Sequence, residues 1–282
     1  MPTLTTPTST PGWSPDVVAF APADAVPDAL LLSTATFSGE VDGDRPVVRV
    51  TFVRDDDADF VDEGAVIPEA DPQLDEVDVA TAKVAKLVAV SREQYSQQQA
   101  SGRLATAVRR AIVTRANEAY LTQAAPASGV TPPTGLLNLP GLTEAVAPVV
   151  GDLDPVIDLI AALQDVKGTP SAIVVAPTGW AALRKMKDED GSARSLLGAG
   201  TTDAVRMLLD VPVLVSAAMA PDAGLVLDAS AIAGAWGPVQ VATSEHVFFT
   251  SDSVAIRATW RIGWNLVHPE RIGRFTIGAP TP

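Results

Sequence analysis

A run of acidic side chains is the densest group of possible metal ligands in the sequence. Asp55, Asp57 and Asp59 have the one-three-five spacing of an EF-hand calcium loop, in which carboxylate oxygens bind the ion. The sixth position is Phe60, where the loop needs glycine, and the twelfth is Val66, where it needs glutamate. These departures favour a solvated acidic loop over a calcium site, and we expect no metal or cofactor.

Other motifs that could support catalysis are weak. The chain has two histidines, His246 and His268, and both are interpreted as structural or surface residues. A Ser–His–Asp triad is not excluded by counting, but no G-x-S-x-G sequence presents a nucleophilic serine. Walker A and G-x-G-x-x-G phosphate loops are also missing from the sequence. Because the chain has no cysteine, thiolate catalysis, disulfides and zinc–thiolate sites are excluded.

Composition indicates a globular chain of one large or two modest domains. Of its 282 residues, 47% are apolar and 19% are charged. No apolar run approaches the roughly 18–20 residues that span a membrane. The start of the chain is rich in Thr, Ser and Pro, which is not the pattern of a secretory signal. Assembly in a cytoplasm is therefore expected.

The net charge of −14 belongs to the first part of the chain. Residues 1–80 contain 17 acidic and 3 basic residues, whereas residues 81–282 contain 17 of each. A chain this acidic does not bind nucleic acid by neutralising phosphates. The acidic part instead predicts contact with a basic surface on a partner, including another copy of the chain.

The first 90 residues predict an arm followed by a long hairpin. Residues 1–30 have too many prolines for a helix or a central strand, so they are either an arm held by a neighbour or a disordered tail. Residues 47–53 are rich in strand formers, and a polar acidic stretch separates them from a returning strand at 77–90. Such a hairpin has little core of its own and must lean on something else.

Two long elements follow from hydrophobic periodicity. Apolar residues at spacings of three and four predict a helix over 102–123, with a basic set around its other side. Strict alternation from Val254 to Leu266 predicts a strand about 43 Å long at about 3.3 Å per residue. That strand exceeds the usual length of roughly 3–10 residues and suggests an elongated body. The basic set consists of Arg103, Arg109, Arg110 and Arg115.

Residues 150–245 predict an α/β region. Asp154 is expected to cap one helix and Thr178 to cap a second helix that ends near Met186. Short strands are expected within Ser171–Pro177 and at 211–217 and 225–227.

Five segments together resemble a known family. The first contains Phe60-Val61, Glu63-Gly64 and Ile67-Pro68; the others are Pro133–Asn138, Ile173–Gly191, Val211–Met219 and Phe249–Pro269. In order and spacing they resemble the major capsid proteins of tailed phages, which have the Hong Kong 97 fold. Two departures from that family are Asp210, where Gly is common, and Glu270-Arg271 after the last proline.

The resemblance implies an α+β, Hong Kong 97-like capsid fold. Its parts are an N-terminal arm at residues 1–30, an extended β-hairpin loop at 31–90, a peripheral domain with a long spine helix and long β-strands at 91–145 and 246–282, and an α/β axial domain at 146–245.

The resemblance also implies a structural protein and not an enzyme. Such a chain self-assembles in the host cytoplasm into the icosahedral head shell of a virion, which encloses the double-stranded DNA of a tailed phage without sequence-specific binding. Its expected partners are copies of itself in pentamers and hexamers, a separate scaffolding protein, a portal and decoration proteins, with no membrane. The residues expected at contacts between subunits are Asp55, Asp56, Asp57, Phe60, Glu63, Ile67, Arg103, Arg109 and Arg110.

Some members of that family join a loop lysine to an asparagine of a neighbour by an isopeptide bond. Here residues 38–82 contain no lysine, and Lys83 and Lys86 fall near the expected base of the hairpin. We therefore expect shells without such cross-links. Two other functions stay open: an encapsulin-like bacterial nanocompartment shell, and an acid-dependent hydrolase or carbohydrate-binding module.

Overall fold

The structure is a computed structural model, and it describes residues 17–41, 45–53, 60–61, 74–95, 100–187, 195, 197 and 206–278. Its strands are β1 (Val17–Phe20), β2 (Thr36–Glu40), β3 (Val47–Val53), β4 (Leu74–Ser91), β5 (Thr143–Glu144), β6 (Ala172–Val175), β7 (Met207–Leu208), β8 (Val211–Val215), β9 (Ala223–Leu227), β10 (Ile232–Trp236), β11 (Val239–Phe248), β12 (Ser253–Leu266) and β13 (Gly273–Thr276). Its α-helices are α1 (Pro22–Ala25), α2 (Leu30–Thr34), α3 (Arg92–Tyr95), α4 (Ala100–Thr122), α5 (Asp154–Asp165) and α6 (Pro177–Lys185).

The long strand β12 is the axis of the first sheet. It pairs with β4 along one edge and with β11 and then β10 along the other, while β1 extends the sheet beyond β11 and β2 beyond β10. Alternate residues of β12, from Val254 to Leu266, are buried on one face. The long strand expected from the sequence is confirmed.

Helix α4 covers that face of β12 and confirms the helix predicted at 102–123. It buries Ile112 and Tyr120 against Trp260 and Trp264 of β12. The rings of Tyr120 and Trp264 meet edge to face with centroids 5.3 Å apart. Each buried polar tip has a partner: the Tyr120 hydroxyl lies 2.9 Å from the Thr34 hydroxyl, and the two indole N–H groups donate to backbone carbonyls.

The second sheet has the order β5-β13-β9-β6-β8-β7 and confirms the strands expected in the α/β region. One of its faces packs against α5 through residues such as Leu159 and Phe275. Residues on its other face, including Val174 and Leu225, join the core beneath α4. The two sheets therefore share one hydrophobic core.

Several local predictions were wrong. Neither Asp154 nor Thr178 caps a helix, because both lie within the first two positions of α5 and α6. The cap positions are Leu153 and Ala176, which make no side-chain cap. Prolines do not exclude a helix from residues 1–30 either. Pro22 occupies the start of α1, where a helix needs no N–H donor.

Strand partners also differ from the expected divisions of the chain. Residues 31–40 form most of α2 and all of β2, and β2 runs parallel to β10, so the paired hairpin begins at Val47 and not at residue 31. Strands β10 and β11 belong to the first sheet, whereas β13 belongs to the second. Local pattern cannot reveal such long-range pairing, and the division into domains stays a prediction.

Candidate interaction surfaces

The hairpin, defined here as β3 with residues 74–80 of β4, is the first candidate surface. Its charged face holds Arg49, which pairs with Glu76 at 3.2 Å and with Asp78 at 3.1 Å. A hydrogen bond to Asp78, followed by the charges of Asp78 and Glu76, raises the pKa of Arg49. Leu74 and Val53 at the far end of the two strands are exposed.

The other face of the hairpin leans on the body. Val79 is buried with Val41 and two alanines of β10, and Phe52 meets the His268 ring edge-on at 5.6 Å. His268 also contacts Glu270, and His246 is exposed, which agrees with their expected structural or surface character. The buried cluster at the hairpin thus has four residues, of which Val79 belongs to the hairpin and the other three to the body.

Hydrogen bonds fix the base of the hairpin where β4 meets β12. The Arg261 guanidinium donates to the Thr81 hydroxyl at 2.9 Å and to the Arg45 carbonyl at 3.1 Å. The Asn265 amide donates to the Asp78 carbonyl at 2.9 Å. These bonds fix the direction in which the hairpin leaves the sheet.

Beyond the strands, Phe60 is fully exposed, and its neighbour Val61 is 38% exposed. The other expected contact residues in this part of the chain, Asp55, Asp56, Asp57, Glu63 and Ile67, lie outside the described residues. So does part of the Ile173–Gly191 segment that contributes to the family resemblance.

The basic side of α4 is the second candidate surface. Arg109 approaches Asp28 only at 4.0 Å, and Arg115 donates to Gln123 at 2.6 Å. Arg103 and Arg110 are exposed, two turns apart, and have no acidic partner within the described part of the chain. Thus the structure places the expected arginines on one helix but not in one cluster.

A groove that the sequence did not predict lies beside this helix. Residues of β1, α1, the first half of α4, β11 and β12 enclose about 260 Å³, and we call it the α4 groove. Its lining is mainly apolar and includes Phe20, Val108 and Ile256, with one acidic residue, Asp24, and one basic residue, Arg109. Residues from four distant parts of the sequence form it, so no local motif could have revealed it.

The uncovered face of the first sheet is the third candidate surface. Residues of β4 and β12 alternate between the α4 side and this opposite side. Leu87, which is 56% exposed, lies here opposite the exposed Arg257 of β12. Lys83 lies on the same face of β4, four residues before Leu87. This face is basic like α4, but its side chains are mostly small.

Chemical sites are not apparent in the described part of the chain. It contains no group of three or more His, Asp or Glu side chains that could hold a metal ion. No helix among the described residues is long and apolar enough to cross a membrane.

Comparison with known proteins gives these surfaces a context. The model of the phage capsid family matches residues 36–277. The chain belongs to this family. It is therefore a capsid protein, a structural subunit that associates with copies of itself in a shell. Among curated proteins, no sequence matches this capsid protein.

Solved structures share the α+β fold at low sequence identity. The capsid of the native GTA particle is 20% identical with a TM-score of 0.63, covering 99% of this chain and 96% of that one. A structure of Mycobacterium phage Cain is 16% identical with a TM-score of 0.65, covering 90% of each chain. One of Microbacterium phage Oxtober96 is 14% identical with a TM-score of 0.64, covering 98% and 96%.

Proposed function

We propose that this capsid protein builds the icosahedral head of a tailed phage around double-stranded DNA, through rings of five and six copies. The observation that carries the proposal is the family match over residues 36–277. Within the described residues, the hairpin shares a buried cluster with only three residues of the body, and such weak support fits a chain that completes its contacts in an assembly. The capsid of the native GTA particle, one of its structural neighbours, was computed with C5 symmetry.

Contacts between copies join acidic and basic surfaces. The acidic residues Asp55, Asp56, Asp57 and Glu63, with Phe60 and Ile67, approach Arg103, Arg109 and Arg110 on α4 of a neighbour. The support is that the charge of −14 belongs to residues 1–80 while residues 81–282 are balanced. Single exposed pairs contribute little, on the order of 0–1 kcal/mol, but a shell repeats each pair many times.

A denaturing gel of boiled particles tests whether covalent cross-links join the subunits. Lys83 and Lys86 lie where β4 runs beside β12, away from the hairpin end. We therefore propose that mature particles lack isopeptide cross-links. Boiled particles should give one band near 29.2 kDa, whereas a ladder that survives boiling would contradict this part of the proposal.

Assembly also involves partners outside this chain. We propose a separate scaffolding protein, a portal and decoration proteins, with assembly in the host cytoplasm. The support is membership of the phage capsid family. Pull-down from infected cells would test each partner separately.

Electron microscopy of the purified chain, with and without scaffolding protein, tests the main proposal. We expect closed particles that package DNA when the phage machinery is present. A monomer that persists at high concentration under both conditions would contradict shell formation. Particles that enclose protein cargo in place of DNA would identify a nanocompartment.

A further inference from the structure

Strand β4 has a long edge that is only partly covered. In an antiparallel pair, only every second residue of a strand exchanges hydrogen bonds with a given neighbour. Arg92, directly after β4, donates its N–H to the Asp252 carbonyl at 3.0 Å, in register with β12, so the even-numbered residues of β4 bond to β12. Thr81 donates instead to the Pro46 carbonyl at 2.8 Å, in register with β3. The odd-numbered residues therefore face the edge that β3 occupies.

Strand β3 covers this edge only as far as Ala80. Beyond it, Lys83, Ala85, Leu87 and Ala89 direct their N–H and C=O groups away from β12, and none of these groups has a hydrogen-bond partner among the described residues. All four residues are exposed. We call this side of the strand the β4 edge. At about 3.3 Å per residue it is about 20 Å long, enough to pair with a strand of about seven residues.

A cavity lies beside the β4 edge, between the sheet and α4. It encloses about 250 Å³, and its lining joins Val84 and Ala85 of β4 to Ile262 of β12 and Ala119 of α4. The lining is mainly apolar and contains no acidic residue. Since side chains of a strand alternate between its two faces, a strand added at the β4 edge would hold every second side chain on the side of this cavity.

The paired stretches of β4 and β12, residues 81–91 and 253–263, are basic. They contain no Asp or Glu. Their basic residues are Lys83, Lys86, Arg257 and Arg261, of which the first three are exposed. Arg115 of α4 also lines the cavity, although its guanidinium contacts Glu118 at 3.8 Å. The β4 edge therefore favours a negatively charged segment.

The same charges disfavour strands from a second copy. Two β4 edges side by side would bring Lys83 and Lys86 of both copies into one junction, and edge lysines are a common barrier to such pairing. Arg49 is the only charged residue of β3, so the free edge of β3 is not acidic either. The remaining edge strands of the first sheet, β1 and β2, have one carboxylate between them, at Glu40. An acidic strand of another protein fits the edge better than these.

We propose that the β4 edge accepts an extended, acidic segment of a partner protein as an added strand. The backbone supplies the hydrogen bonds, the cavity accepts one apolar side chain, and Lys83 and Lys86 select negative charge. Strand addition of this kind takes its affinity from the backbone and its specificity from alternate side chains. The site is complete in one chain, so it goes beyond the proposed shell function and can be tested without assembly.

A synthetic strand tests the site in the unassembled full chain. The probe is a fluorescent peptide, Glu-Val-Glu-Leu-Glu-Val-Glu, whose binding is followed by anisotropy. Two versions carry backbone N-methyl groups, one at every Glu and the other at Val and Leu, so each lacks the N–H groups of one edge. Since only one edge of an added strand bonds to β4, one version should bind like the probe and the other at least about tenfold more weakly. Failure of the probe to bind, or equal binding of both versions, would overturn the proposal.

Substitutions locate the contact on the chain. Ala85→Pro removes one N–H from the β4 edge without removing a bond to β12, and strand edges tolerate proline. It should weaken probe binding at least about tenfold, because the ring also blocks close approach. Thr51→Pro makes the same change on the free edge of β3 and should leave binding unchanged. Circular dichroism should show both folds intact, and equal binding by the two variants would contradict the site.

Charge variants give a test that does not alter the backbone. Lys83→Gln combined with Lys86→Gln should weaken probe binding, and more so at low salt, where exposed charges are least screened. Lys185→Gln, at an exposed position of α6, is the control and should have no effect. Unchanged binding by the double variant at low salt would contradict the selection of acidic segments.

Hydrogen exchange identifies what covers the edge in particles. The N–H groups of Lys83, Ala85, Leu87 and Ala89 should exchange fast in the unassembled chain and in shells built from this chain alone. They should exchange slowly in particles from infected cells, immature or complete. Slow exchange in shells of this chain alone would show that another copy, for example its hairpin, covers the edge. Fast exchange in every particle would show that no strand is added, and either result overturns the proposal. If no shells form, the proposed function fails, and probe binding still decides the site.

Discussion

Strands β3 and β12 have a similar alternation of apolar residues but differ in how deeply those residues are buried. In β12, alternate residues are buried and Trp260 is completely enclosed, whereas no residue of β3 is buried. The difference lies in what packs against each strand. Helix α4 covers β12 through residues such as Ile112 and Tyr120, whereas β3 meets the body through side chains that stay partly buried, among them Phe52 against His268. A strand pattern therefore specifies which face is apolar, and the rest of the fold decides whether that face is core or interface.

The largest effect should come from removing the centre of the α4 core. Trp260→Ala leaves a cavity and removes the N–H group that donates to the Gly237 carbonyl at 3.0 Å. We expect a loss of about 3–5 kcal/mol in the free energy of unfolding, measured by urea unfolding of unassembled chain with circular dichroism. Leu87→Ala, an exposed truncation on the same sheet, should change it by no more than about 0.5 kcal/mol. Similar losses of stability in the two variants would contradict the assignment of Trp260 to the core and Leu87 to the surface.

A second change acts where hairpin and body join. A Cβ on residue 263 would lie 2.3 Å from the Ala80 carbonyl oxygen, so Gly263→Ala must push β4 away from β12. We expect a loss of about 1–3 kcal/mol in the free energy of unfolding.

Gly102→Ala is the matched control, because a Cβ there meets nothing within 4 Å. In helix α4 the same substitution should raise the free energy of unfolding by about 0.5–1 kcal/mol. If both variants shift stability in the same direction, the close approach at the hairpin base is not a constraint.

A smaller effect concerns how the free energy of unfolding depends on pH at the buried side chain of Tyr120. Burial raises the pKa of Tyr120, and the hydrogen bond with Thr34 opposes this only partly. Above the unfolded pKa of about 10, the unfolded chain ionises while the folded chain stays neutral, so stability is complete below that pH and is lost as pH rises.

Tyr120→Phe should cost about 1 kcal/mol at neutral pH, because Thr34 keeps its bond to the Leu30 carbonyl. It should also make the fall in stability between about pH 9 and 11 shallower. Urea unfolding at several pH values measures both, with Tyr95→Phe as the control at the chain's other tyrosine. An unchanged alkaline slope in Tyr120→Phe would contradict the assignment.

Long, local patterns made much of the fold predictable. Apolar spacing identified α4 within two residues, and alternation identified β12, because each pattern runs over many residues and faces one core. The order and spacing along the sequence of five segments between Phe60 and Pro269 were sufficient to indicate the capsid family.

Features made by distant residues were not predictable. The parallel pairing of β2 with β10 and the exchange of β13 into the second sheet depend on the whole fold. Among the candidate contact residues, Phe60 follows from the family resemblance, and its contact with a neighbour stays a prediction. The α4 groove was not predictable, since it exists only after β1, α4 and β12 meet.

The smallest effect on folding, and the clearest test of the hairpin as a surface for partners, concerns Arg49. It is exposed, and its pairs with Glu76 and Asp78 lie in water, so Arg49→Gln should leave urea unfolding unchanged. The same change releases two carboxylates on an acidic surface. If that surface meets arginines of a neighbour, assembly followed by light scattering should become faster at low salt and more sensitive to added salt. Lys185→Gln makes the same charge change at an exposed position of α6 and should change neither the assembly rate nor its salt dependence. Slower assembly of Arg49→Gln at low salt would show that the hairpin meets negative charge.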